Sequence, residues 1–96
     1  MTEILSVAIF EPLQGQESAA LVTLRELMAA LAAKRYSRDT LHRSAKEPRH
    51  YLLLRTWFSE DARRSAHEDP EIQKFWARLG NEIHIVTIYE VLENVD

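Results

Sequence analysis

One stretch of the chain, His50 to Trp76, gathers the side chains best suited to chemistry: Tyr51, Arg55, Trp57, His67 and Trp76. An imidazole ionises close to neutral pH, so His67 is the candidate proton acceptor. Trp57 and Trp76, the two indoles of the chain, offer flat faces for a planar ligand. Tyr51 adds a phenol and Arg55 a cation, and all of Tyr51, Leu53, Arg55 and Trp57 share one face if this segment is extended. Each residue also has an ordinary reading. His67 is then a half-exposed helix histidine, and Trp57 is core packing. A charge on a buried strand needs a partner, so Arg55 either pairs with Glu90 or Asp39 at a subunit interface or holds an anionic substrate; structural pairing is preferred.

The same inventory excludes much. There is no cysteine, hence no disulfide, thiolate metal site or cysteine nucleophile. His42, His50, His67 and His84 lack metal-type spacing, and Gly15 and Gly80 cannot make a phosphate loop. No metal, haem or flavin is expected. A net charge of -3 gives no basic face for nucleic acid. Arg35 with Arg38 and Arg63 with Arg64 each have carboxylates nearby and read as solvated surface. The first residues run straight into strand-like sequence without a basic leader, and no apolar run approaches the ~20 residues that span a bilayer. The expectation is a cytoplasmic protein without membrane contact.

The elements that must position these residues follow from periodicity. Ile4 to Phe10 is apolar on both faces, as a central strand is. Leu21, Leu24, Leu27, Met28 and Leu31 make a helical stripe over about residues 16–34. Ser37 to Lys46 is polar and alternating, an edge strand. His50 to Phe58 is the clearest strand. Ser59 caps the helix after it, and Asp69-Pro70 restarts that helix, aspartate as cap and proline as first helical residue. Ile72, Phe75, Trp76 and Leu79 continue an apolar stripe that Gly80 ends. The last strand is Ile83 to Leu92, with Ile83, Ile85, Thr87, Tyr89 and Val91 expected on one face and His84, Val86, Ile88 and Glu90 on the other.

The order is βαββαβ in a single domain spanning residues 1–96, an α+β fold of the ferredoxin-like type with a four-stranded antiparallel sheet. Two crossovers put the helices on one sheet face and the first and third strands in the middle. The other face is apolar too. A second copy, sheet against sheet, is the economical cover, so a homodimer is expected.

The strand YLLLRTW, the turn SEDA directly after it, His67 in the following helix and the segment DPEIQKFW resemble the antibiotic biosynthesis monooxygenase (ABM) family of dimeric α+β barrels. The resemblance covers nearly the whole chain. Family members carry their histidine one position earlier, where this chain has Ala66. The resemblance implies a homodimer with a pocket between sheet and helices in each subunit. It also implies oxidation of a small quinol- or polyketide-like aromatic by O₂ without metal or flavin. On that reading His67 is catalytic, and Tyr51, Arg55, Trp57 and Trp76 bind the substrate. The alternative is a non-catalytic small-ligand-binding or interaction module on the same scaffold.

Overall fold

Seven elements follow one another in the chain: β1 (Ile4–Pro12), α1 (Glu17–Ala33), β2 (Ser37–Arg43), β3 (Tyr51–Trp57), α2 (Glu60–Glu68), α3 (Pro70–Leu79) and β4 (Ile83–Leu92). The structure, a computed structural model, describes residues 3–96. The strands form one antiparallel sheet in the order β2-β3-β1-β4. This is the ferredoxin-like α+β arrangement, and the two apolar strands are the central ones.

The helix face of the sheet holds the core. Along β3, Tyr51, Leu53, Arg55 and Trp57 are buried while the residues between them are only partly so. On α1, Ala20, Thr23, Leu24, Leu27 and Leu31 are buried, the spacing of one helical stripe. Leu24, Leu27 and Leu31 pack with Tyr51, Leu53, Trp57, Phe10, Ala66, Ile72 and Leu79 into a single cluster. Burying one such large apolar side chain contributes about 1.5–3 kcal/mol, so this face dominates the fold's stability. The opposite faces of β1 and β3 carry Leu5, Val7, Ile9, Leu52 and Leu54, none of them buried.

Helix ends are set by local chemistry. Gly15 takes φ +77° in the turn before α1, a backbone angle that residues with a Cβ rarely adopt. At the other end Arg35 stands at φ 60°, and its N–H and that of Tyr36 donate to the carbonyls of Ala32 and Leu31. This is the closing geometry usually given to glycine. It aims Tyr36 toward the α2–α3 junction. Ser59 Oγ accepts from the Ala62 N–H at 2.9 Å and so caps α2. Asp69 caps α3 by accepting from the Glu71 N–H at 2.9 Å, with Pro70 as the first helical residue. Gly80 ends α3 at φ -57°, a right-handed angle, so its freedom to turn left-handed is not used there.

The regular alternation expected of β4 fails twice, between Ile85 and Thr87 and again between Tyr89 and Leu92. Ile85 lies opposite Phe10 and Thr87 opposite Ile9, which leaves Val86 as an extra residue, a β-bulge. Beyond it the faces exchange. Ile88 pairs with Ala8 and turns to the helix side along with Ile83 and Ile85, and Tyr89 pairs with Val7 and turns to the open side. The sequence could not show this, because a period of two carries no mark of an inserted residue.

Candidate functional site

Helix α2 stands over the end of β3, Trp76 reaches in from α3, and a cavity of about 150 Å³ lies between them and the sheet. Ser6, Arg55, Trp57, Arg63, His67, Trp76, Ile88 and Glu90 line it. Four of the five residues expected from the sequence therefore meet: Arg55, Trp57, His67 and Trp76. Tyr51 stands apart. It begins β3, six residues or roughly 20 Å along the strand from Trp57. There it stacks on Phe10 at 5.6 Å and donates its hydroxyl to Glu17 Oε2 at 2.6 Å. That hydrogen bond to a carboxylate pushes the phenol's pKa up, and burial adds to it.

The His67 ring lies between the two indoles, its centroid 5.9 Å from Trp57 and 5.0 Å from Trp76. Its Nδ1 is 2.8 Å from the backbone oxygen of Arg63, one helical turn back. A carbonyl only accepts, so Nδ1 carries the proton and Nε2 keeps the lone pair. The helix thus fixes both the ring plane and the tautomer that a general base requires. Ala66, at the position where the family resemblance would put the histidine, is fully buried. An imidazole there would enter the core; at residue 67 it reaches the cavity instead.

Arg55 is held within the chain, on the helix side of the sheet, by a pairing between neighbouring strands. Its Nε and Nη2 donate to both oxygens of Asp39, its neighbour across β2 and β3, at 2.8–3.1 Å. The Asp39 side chain is 0% exposed and that of Arg55 10%. Ser37 Oγ adds a hydrogen bond to Asp39 at 3.0 Å, and the guanidinium lies 5.3 Å from the centre of the Trp57 ring. The pair is neutral, which removes most of the field an anionic ligand would feel. Trp57 is 2% exposed, and its indole N–H donates to Ser6 Oγ at 3.0 Å. Ser6 in turn donates to the backbone oxygen of Glu90.

Ser6, Arg63, Ile88 and Glu90 complete the lining without having been singled out as site residues. Ser6 left a signal, the one polar residue in ILSVAIF. Arg63 reads as surface because Glu60 lies a turn away, and the two are indeed 3.2 Å apart, with Glu90 at 4.0 Å on the other side. Ile88 and Glu90 depend on the bulge. Behind this cavity lies a second of about 140 Å³, lined by Ala8, Phe10, Leu24, Leu27, Leu53, Leu79, Ile83 and Ile85. The two share Arg55, Trp76 and Ile88.

No protein-family model and no curated protein matches the sequence. Solved structures do, over nearly the full length. SnoaB, a cofactor-independent oxygenase from Streptomyces nogalater, superposes with a TM-score of 0.76 at 19% identity, covering 99% of this chain and 98% of that one. A candidate antibiotic biosynthesis monooxygenase from Chloroflexus aurantiacus gives 0.79 at 14% identity, covering 99% and 96%. Rv0793 from Mycobacterium tuberculosis gives 0.76 at 18% identity, covering 99% and 100%. The chain has the fold of the antibiotic biosynthesis monooxygenases. At these identities the likeness concerns the fold, and function has to be argued from the site.

Proposed function

We propose that the protein is a cofactor-independent monooxygenase acting on a small quinol- or polyketide-like aromatic, and that it works as a homodimer. One observation carries the reading: a histidine whose tautomer is fixed with Nε2 free, set between two indole rings at a cavity. His67 Nε2 accepts the proton of a phenolic hydroxyl while the part-exposed Trp76 packs against the ring and the buried Trp57 backs the imidazole. The resulting phenolate is electron-rich enough to give electrons to O₂. At a CH₂ carbon conjugated with it, one oxygen atom enters as a carbonyl and the other leaves as water, so the two hydrogens lost from carbon balance the reduction. Arg55, already neutralised by Asp39, keeps Trp57 in place and does not attract a carboxylate. Tyr51, apart from this cavity and bound to Glu17, has no role in the step.

A general base contributes about 10²–10⁴ in rate. His67→Ala should lower O₂ consumption with a quinol or anthrone by that range, with the thermal melt changed little because the residue is exposed. Full activity in the variant would remove His67 from the reaction. The small-ligand-binding alternative is supported by the small size of the cavity, about 150 Å³ against the ~300–1,000 Å³ usual for drug-sized ligands. It prevails if no quinol or anthrone turns over while a small aromatic raises the melting temperature.

A further inference from the structure

We infer that the ligand is an uncharged phenolic amphiphile, its hydroxylated ring at His67 and an apolar arm running into the second cavity beneath α1. This rests on the reading of the His67 cavity as the substrate site. The outer cavity holds the polar groups of the site, with Ser6, Arg63, His67 and Glu90 beside Trp57, Trp76 and Ile88 in its lining. The inner one is aliphatic and aromatic apart from Arg55. They meet at Arg55, Trp76 and Ile88, so one molecule can occupy both.

Charge argues for an uncharged ligand. Arg55 is matched by Asp39 and Arg63 by Glu60, with Glu90 nearby. No cation in the lining lacks a carboxylate neighbour among the described residues, so a carboxylate or phosphate on the ligand would find little compensation. The inner cavity is also unfinished. α1 and α3 cover the helix side of β4 only in part, and Ile85 and Ile88 remain 43% and 54% exposed there. An apolar arm would lie against these residues and gain from leaving water. Ile88 reaches this position only through the bulge at Val86, which makes the bulge the device that joins the polar end of the site to the apolar one.

The test is a series of para-alkylphenols, from phenol to the octyl compound, titrated into the wild-type protein. Both tryptophans of the chain line the outer cavity, so their fluorescence reports occupancy, and calorimetry gives the affinity. Affinity should rise about fourfold per methylene until the inner cavity is full, then level off. Ile85→Asp, at an exposed strand position able to carry a carboxylate, should bring the gain per methylene down toward onefold. Binding of phenol with no gain along the series would overturn the amphiphile and leave the His67 site standing. Failure of every member to bind would overturn both. A rise that persists unchanged in Ile85→Asp would show that the arm lies elsewhere, and the inference would fall.

Discussion

Arg55 and Asp39 show how a single pair can decide whether a strand folds. Two charges removed from water cost several kcal/mol each, and their attraction repays this only when geometry is good. Here the geometry is good: three hydrogen bonds of 2.8–3.1 Å and a Ser37 hydroxyl on the remaining lone pairs. Removing one partner is the damaging change. Arg55→Ala leaves a fully buried carboxylate uncompensated and should cost about 3–5 kcal/mol in a denaturant titration. Replacing both, with Arg55→Met and Asp39→Leu, should recover most of that loss, because no buried charge is then left unpaired. A double variant as unstable as the single one would mean that the loss comes from packing against Trp57 instead. Arg55→Lys should not substitute fully, since an ammonium cannot reproduce the planar two-nitrogen contact.

The break between α2 and α3 works at the scale of the element. His67 and Trp76 face one cavity only because the chain turns at Asp69, and three donors hold that residue: Lys34 Nζ at 2.7 Å, the Tyr36 hydroxyl at 2.9 Å and the Glu71 N–H at 2.9 Å. The Lys34 ammonium above all pulls the Asp69 carboxyl down to about 2 from its ordinary 3.8, with Tyr36 and Glu71 assisting. A carboxylate with a depressed pKa stabilises the fold at every pH above its unfolded value. That contribution is lost as pH falls from about 4 to about 2. Asp69→Asn keeps a capping oxygen but not the charge. It should melt lower than wild type at neutral pH, and its melting temperature should fall less steeply between pH 4 and pH 2; parallel curves would exclude Asp69 as the titrating group. The sequence showed this junction, because aspartate before proline is a local signal. It showed three of the four strands for the same reason, their apolar runs being local, and the fourth, Ser37–Arg43, by its polar alternation. It could not show that Val86 bulges or that Lys34 and Tyr36 reach Asp69 from 33 to 35 residues away, since those depend on pairing and packing between distant segments. The separation of Tyr51 from the other four candidates has a similar cause. Shared strand face was legible, but distance along the strand separates it from the indoles.

The whole molecule is a slab with principal extents of 40 × 35 × 17 Å, one layer of helices on one layer of sheet. Such a slab covers one side of its sheet. On the other side Leu5, Tyr89 and Leu92 remain 38%, 55% and 36% exposed, Leu5 opposite Leu92 and Tyr89 opposite Val7 across β1 and β4. Val7, Ile9, Leu52 and Leu54 continue the patch across β1 and β3. A specific interface takes about 800 Å² from each partner, roughly an eighth of the 6452 Å² surface of this chain, and the sheet face is broad enough to supply it. Burying it against a second copy adds apolar contact that a small domain cannot find within itself. The expected state is therefore a dimer at micromolar concentration by sedimentation. Leu54→Lys puts a charge at the centre of the patch, opposite Val7, at a position only partly buried within the subunit. The variant should sediment as a folded monomer with unchanged far-ultraviolet circular dichroism. A wild-type protein that is already a stable folded monomer, or a Leu54→Lys protein that remains dimeric, would remove the sheet face as the interface.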